Sequence, residues 1–168
     1  VAVKMEALAA YHPQLVNEAR ILKSFEGKDR FPMFKWFGEE GDFNVLVMDL
    51  LGPSLEDLYL YCDMRFTLKT SLMLFDQSLQ CLEQLHEGSV VHRDIKPANV
   101  MLDEQGVAKI LDIGVGQLRQ SASNSSDNTG EMMMSAVAYM APEHARNEVV
   151  DERSDIYSLG VILYELIT

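Results

Sequence analysis

Hydrophobic residues alternate with polar ones in three short runs near the start of the chain and then recur at helical spacing. The alternation over Val1–Met5, Met33–Gly38 and Phe43–Met48 predicts three strands. A helical repeat from Pro13 to Phe25 follows the first run, and the letters EEGD at 39–42 are typical of a hairpin turn. The first third of the sequence therefore predicts a small sheet with one helix.

After residue 50 the pattern becomes mainly helical. Ser54, with Asp57 three residues on, resembles a capping pair for a short helix, and Thr67 is placed to cap a long one. The long helix repeats apolar residues at spacings of three and four, which we interpret as core positions. These positions are Leu68, Leu72, Phe75, Leu79, Leu82 and Leu85.

The last third of the chain combines short strands, a long polar loop and a final helix. Residues 100–102 and 107–111 predict a hairpin around the turn DEQG. Residues 119–135 are Ser-rich and lack periodicity, which is typical of a long loop. The final apolar repeat runs through Leu159, Ile162, Leu163 and Leu166.

Composition narrows the function classes. The chain has 168 residues, 48% of them hydrophobic, so one domain can bury a core. A formal charge of -12 is unfavourable for contact with nucleic acid or anionic membranes, and we expect neither as a partner. Cys62 and Cys81 form no disulfide framework, and no apolar run is long enough to span a membrane. We therefore expect a soluble intracellular protein, cytoplasmic or nuclear, with both cysteines more often core residues than nucleophiles.

Both ends of the sequence lie within predicted elements. The chain opens directly in the strand-like run VAVKM, and its final helical repeat stops without a Gly or Pro terminator. We therefore expect a fragment that is truncated at both ends.

The stretch VVHRDIKPANVML at 90–102 concentrates chemistry in a short loop. Apolar, strand-like ends enclose Asp94, Lys96 and Asn99, and Pro97 restricts the backbone among them. Further motifs stand in a fixed order around this loop: VAVK ending at Lys4, a helical Glu at 18, DIG at 112–114 and APE at 141–143. Taken singly, each of these residues is equally consistent with a surface or turn position.

In that order, the motifs resemble those of eukaryotic-type protein kinases, with HRDIKPAN matching the catalytic loop. The segments YHPQLVNEARIL, EGDFNVLVMDLLGPSLEDL and FTLKTSLML look similar to the casein kinase I branch, over about residues 11–102. Beyond residue 102, YMAPE and SDIYSLGVILYEL resemble the general serine/threonine kinase pattern instead.

The resemblance implies an α+β, bilobal kinase fold that is incomplete. Residues 1–48 would form the rest of the small lobe, 49–53 the hinge and 54–168 part of the large lobe. The implied activity is transfer of the γ-phosphoryl group of Mg-ATP to Ser or Thr of a protein substrate, because a Lys two residues after Asp94 is the serine/threonine pattern. The alternative is a pseudokinase or kinase fragment that acts as a non-catalytic binding scaffold.

The resemblance assigns the phosphate and metal contacts to four residues. Lys4 would bind the α- and β-phosphates while paired with Glu18. Asp112 and Asn99 would each ligate Mg²⁺, because this cation prefers oxygen ligands. The alternative for Asp112 and Asn99 is that both are simple turn residues.

The remaining expected site residues orient the reacting groups and the adenine ring. Asp94 would orient the substrate hydroxyl, and Lys96 would neutralise charge on the transferred group. Backbone groups at Asp49–Leu51 would bind the purine edge. Three apolar residues would pack around the ring, and these are Ala2, Met48 and Met101.

The resemblance also assigns supporting and regulatory positions. His92 would be a packed structural residue in an internal column with Leu22 and Ile113, and Asp155 would hold the backbone of the catalytic loop. Arg93 would pair with a phosphorylated side chain of the activation segment. That segment offers Ser121, Ser123, Ser125, Ser126, Thr129 and Ser135.

The sequence also departs from the family pattern. The sequence begins at VAVK and so does not include the glycine-rich loop that would precede it, and DIG replaces the commoner DFG. Ser135 and Ala136 stand where a Gly-Thr pair is usual, which removes a hydroxyl that would bond to Asp94.

Overall fold

The computed structural model describes residues 1–11, 13–113, 137–146 and 148–168. In its first part, the strands β1 (Ala2–Ala7), β2 (Phe34–Glu40) and β3 (Phe43–Met48) form an antiparallel sheet in the order β1-β3-β2. All three strands were predicted. The hairpin turn is shorter than expected, because β2 continues to Glu40 and only Gly41 and Asp42 form the turn. Gly41 has φ +57°, a conformation that glycine adopts without steric cost.

Helix α1 (Leu15–Ser24) lies against this sheet, within the range that the sequence predicts. Its apolar face is buried through Leu15, Ala19 and Leu22. The carboxylate of Glu6 on β1 accepts hydrogen bonds from the backbone N–H groups of Gln14 (2.8 Å) and Leu15 (3.2 Å). Because the first N–H groups of a helix lack partners within it, Glu6 fixes where α1 begins.

The mainly helical part starts with α2 (Leu55–Tyr61) and α3 (Leu68–Glu87). The predicted caps are present: Ser54 and Asp57 form a reciprocal capping box, and the Thr67 side chain accepts from the Thr70 N–H. The prediction that Leu68 and Leu72, in the first turns of α3, are core residues is wrong. Leu68 and Leu72 are 63% and 49% exposed, because core packing begins only further along the helix.

The rest of the chain supports the loop at 92–99. A 3₁₀ turn (Pro97–Asn99) leads into the hairpin of β4 (Val100–Leu102) and β5 (Ala108–Ile110). Two further helices follow, α4 (Pro142–Ala145) and α5 (Glu152–Ile167), and α5 packs on α3. The contact between α5 and α3 buries Leu159, Ile162 and Leu166.

One apolar core connects the sheet, α1 and the helical part. The two cysteines differ in environment: Cys81 lies in this core, whereas Cys62 is exposed at the end of α2, contrary to its expected core position. Burial raises the pKa of the Cys81 thiol to about 12. Among the described helices, none combines the length and apolar character that crossing a membrane requires.

Ser54→Ala tests the capping box. The variant loses the acceptor of the Asp57 N–H, 3.1 Å from Ser54 Oγ, and the bond from Ser54 Oγ to the Asp57 carboxylate. We expect the free energy of unfolding to fall by about 1 kcal/mol, measured by urea denaturation. Ser24→Ala, an exposed site at the end of α1, is the control and should change it by less than about 0.5 kcal/mol. Equal losses in both variants would contradict a specific role for the cap.

Candidate active site

Lys4 is the point at which three separate elements meet. The alternation of β1 places its side chain on the same face of the sheet as Ala2 and Glu6. Its ammonium contacts the Glu18 carboxylate of α1 at 2.5 Å and also forms an ion pair with Asp112, just beyond β5. The sequence-predicted pair is thus formed, and Asp112 joins it.

The ammonium of Lys4 is held in its charged form. Burial works against that form, but the carboxylates of Glu18 and Asp112 outweigh it and raise the pKa of Lys4. Burial also raises the pKa of Glu18, and the Lys4 charge offsets this only in part. The pKa of Glu18 is raised because its side chain is almost completely buried. Its ion pair with Lys4 is nevertheless close, since the carboxylate lies 2.5 Å from the ammonium.

The loop at 92–99 brings Asp94, Lys96 and Asn99 together, as the sequence predicts. Lys96 Nζ lies 3.0 Å from Asp94 Oδ2, and Asn99 Nδ2 donates to the Asp94 backbone carbonyl at 2.8 Å. The backbone N–H of Leu111 donates to the Asn99 carbonyl at 3.0 Å. This last bond places Asp112 beside the loop, so the two acidic motifs share one region.

Asp155 of α5 anchors this loop. Its buried carboxylate accepts from the backbone N–H groups of His92 and Arg93, both at 2.8 Å. A third contact joins it to His86 Nε2 at 2.9 Å. A buried carboxylate requires such partners, so the position of the loop is tied to α5.

His92 has the structural role expected of it. The ring is fully buried, with Nε2 2.7 Å from the Leu111 carbonyl and Nδ1 3.2 Å from the Asp94 N–H. Leu22 and Ile113, its expected neighbours in an internal column, are also buried. His92 therefore connects the loop to the segment that carries Asp112.

The backbone is strained at two positions of the site. Arg93 has φ +70° and Asp112 has φ +61°, a region that side chains with a Cβ rarely adopt. The Arg93 N–H donates to Asp155, and the Asp112 carboxylate pairs with Lys4, so each of these residues is also held by a contact to a distant part of the chain. Such strain is concentrated at functional sites in proteins, where it orients reacting groups.

The donor set suits a hard cation bridging phosphate groups. Both side-chain hydrogen bonds of Asn99 leave from Nδ2, so its side-chain amide oxygen accepts none from the described residues. The Asp112 carboxylate is partly exposed beside it. Within the part of the chain that the structure describes, no three His, Cys, Asp or Glu side chains converge as a closed metal site. Mg²⁺ commonly uses one or two protein ligands together with substrate phosphates, and Asn99 with Asp112 fits that use.

The residues expected around adenine lie at the junction of the two parts. Ala2 pairs with Met48 across the sheet, and Met48 is buried while Met101 is partly buried. The Asp49 N–H already donates to the Met33 carbonyl at 3.1 Å. The described residues form no hydrogen bond with the Asp49 carbonyl or with either backbone group of Leu51, so Asp49 could contribute only its carbonyl to a purine edge.

Several expected positions lie outside the described residues. These are Gly114 of DIG, the six Ser and Thr residues of the activation segment, and Ala136. Glu143 of APE is described, and its carboxylate accepts from Ser154 Oγ at 2.5 Å. This hydrogen bond lowers the pKa of Glu143.

Sequence reasoning missed two residues that support the site. Glu6 caps α1 and so positions Glu18. The alternation of β1, which places Glu6 on the same face of the sheet as Lys4, was the sequence pattern that could have indicated this role. His86 contacts Asp155 from the end of α3, 69 residues away in sequence. No local sequence pattern predicts the contact between His86 and Asp155, because these residues meet only when α3 and α5 pack together.

Asp155→Ala should destabilise the chain strongly. It leaves the buried N–H group of His92 and the partly buried one of Arg93 without acceptors, and each such loss costs about 1–3 kcal/mol. We expect the free energy of unfolding in urea to fall by roughly 2–6 kcal/mol. Asp155→Asn retains one oxygen acceptor and should lose less. An alanine variant as stable as the original chain would show that the loop does not depend on this carboxylate.

A comparison with family models agrees with the geometry. The model described as protein kinase domain matches residues 1–168. The match includes β1 with Lys4, α1 with Glu18 and the loop that carries Asp94. The chain therefore belongs to the protein kinase family, and its sheet part and its helical part correspond to the two lobes of that fold.

Proposed function

We propose that this chain is a protein serine/threonine kinase, which transfers the γ-phosphoryl group of Mg-ATP to Ser or Thr hydroxyls of protein substrates. The observation that carries the proposal is the Lys4 ammonium, which contacts Glu18 and Asp112 from two other elements. Phosphoryl transfer needs charge placed around a triphosphate more than it needs covalent chemistry. A cation oriented by two carboxylates meets that need.

Four residues would hold the nucleotide phosphates. Lys4 binds the α- and β-phosphates, and Glu18 keeps its ammonium oriented. Asp112 and Asn99 would hold Mg²⁺ through a carboxylate and an amide oxygen, and that cation would supply positive charge beside the phosphates.

Asp94 and Lys96 would act on the reacting groups. The Asp94 carboxylate orients the substrate hydroxyl and accepts its proton, and Lys96, 3.0 Å from it, neutralises charge on the transferred phosphoryl group. The presence of Lys96 two residues after Asp94 supports Ser and Thr, rather than Tyr, as acceptors. The likeness of residues 11–102 to casein kinase I supports a place near that branch.

The adenine ring would bind at the junction of the lobes. We place the small lobe at 1–48, the hinge at 49–53 and the large-lobe residues at 54–168. The free backbone groups of Asp49 and Leu51 bind the purine edge. Ala2 and Met101 pack on the ring faces, and Met48 closes the rear of the pocket. Because both cysteines are free thiols, which is typical of reducing compartments, we place the protein in the cytoplasm or the nucleus.

Arg93 supports regulation by phosphorylation. Its Nε atom is buried and makes no hydrogen bond to the described residues. A phosphate on the activation segment would supply acceptor oxygens for such a guanidinium. Replacing all six Ser and Thr residues of that segment with Ala should lower activity, whereas unchanged activity would remove this part of the proposal.

Nucleotide binding can be tested by thermal unfolding with and without Mg-ATP. At one hundred times its Kd, a ligand stabilises a protein by about 2.7 kcal/mol, which for a chain of this size raises Tm by roughly 5–10 °C. We expect this shift in the original chain and its loss in Asp112→Asn. Asp42→Asn, in the exposed β2–β3 turn, is the matched control and should keep the shift. No shift in the original chain would contradict the proposal.

Catalysis is tested separately by transfer of radioactive phosphate to peptides that contain Ser, Thr or Tyr. Asp94→Asn should keep the Mg-ATP shift but lower transfer by about 10²–10⁴-fold, because it removes a proton acceptor rather than a phosphate ligand. Transfer to Tyr peptides alone would contradict the Ser/Thr assignment. A Tm shift without any transfer would favour the pseudokinase scaffold.

A further inference from the structure

The segment that follows α1 lies against the large lobe through polar contacts, although its ends are apolar. Phe25 and Phe31 are buried in the core with ring centroids 4.4 Å apart. Between them, Gly27 turns the chain with φ +87°, and Asp29 and Arg30 project toward α3. Residues 25–31 therefore connect helix α1 of the small lobe to a helix of the large lobe.

A row of glutamines on α3 receives this segment. Gln77, Gln80 and Gln84 are spaced by three and four residues, so they share one face of the helix. Arg30 Nη1 donates to Gln77 Oε1 at 3.3 Å, and Nη2 donates to Gln80 Oε1. Because a guanidinium is a rigid planar fork, two acceptors fix its orientation.

The neighbouring Asp29 adds a second contact to the same row. Gln84 Nε2 donates to Asp29 Oδ1 at 2.9 Å, and this bond, with a further contribution from Arg30, lowers the pKa of Asp29. We call Asp29, Arg30 and the three glutamines the polar clamp.

β5 holds the same segment from another side. Lys109 Nζ binds the backbone carbonyls of Asp29 at 2.6 Å and Phe31 at 3.4 Å. The Ile110 N–H donates to the Arg30 carbonyl at 3.3 Å. Two large-lobe elements thus hold residues 29–31. Phe31 packs on Phe25, which directly follows α1, and so links this held segment to the C-terminal end of the helix.

The position of that end matters for the ion pair at Lys4. Glu18 lies seven residues before Phe25, which is roughly 10 Å along a helix. A rotation of about 10° at the clamped end would move Glu18 by about 2 Å, which is enough to break a contact of 2.5 Å. A small change in orientation at the clamp would therefore displace Glu18 far enough to separate it from Lys4.

We propose that Arg30 is a positioning residue that, through Gln77 and Gln80, fixes the end of α1 on the large lobe and so keeps Glu18 in contact with Lys4. Its relevance to phosphoryl transfer rests on the proposed function, whereas its effect on α1 does not.

Hydrogen exchange of the α1 amides tests this proposal in Arg30→Met. We expect exchange of residues 15–24 to become about tenfold faster, while α5, at 152–167, changes less. Arg30→Lys keeps a cation and should restore part of the protection. Arg20→Met, an exposed position on α1 itself, is the matched control and should leave exchange unchanged.

The alternatives give different results. Faster exchange everywhere to the same degree would show that Arg30 contributes only to overall stability, and unchanged α1 exchange would show that the clamp does not orient the helix. Either result would overturn the proposal. The Mg-ATP shift in the original chain reports on the proposed function independently, because the exchange measurement requires neither nucleotide nor activity.

Discussion

The buried carboxylate of Asp155 is the interaction on which the site depends most. Removing a charge from water is costly unless donors replace the water, and here two backbone N–H groups and an imidazole do so. Those donors belong to α3 and to the loop that carries Asp94. A single side chain of α5 therefore connects the packing of the large lobe to the geometry of the candidate catalytic loop.

The small lobe depends on a second, opposite arrangement, in which one ammonium is shared by two carboxylates. Lys4 links β1 to α1 through Glu18 and to the large lobe through Asp112. Neither contact is local in sequence, so both depend on how α1 and β5 are held. Glu6 at the start of α1 and the polar clamp at its end supply that restraint.

The sequence predicted local features well because their causes are local. The capping box at Ser54 and the alternation of β1 act within a few residues. The exposure of Leu68 and Leu72 was predicted wrongly, since helical spacing shows that residues share a face but not how far along the helix that face is covered. The end of a packing surface is decided by the neighbouring element.

The sequence alone determined the order of the five strands and of the helices α1, α2, α3 and α5. It also determined the cluster of Asp94, Lys96 and Asn99 and the ordered motifs that resemble kinases, but it predicted neither α4 nor the 3₁₀ turn. Tertiary structure alone decided that Lys4 contacts Asp112 across 108 positions and that His86 contacts Asp155. Tertiary structure also decided that the Asp49 N–H donates to the Met33 carbonyl and that Arg30 contacts glutamines about 50 residues away. Such contacts follow from the packing of distant elements, and hydrophobic periodicity carries no information about which polar side chains then meet.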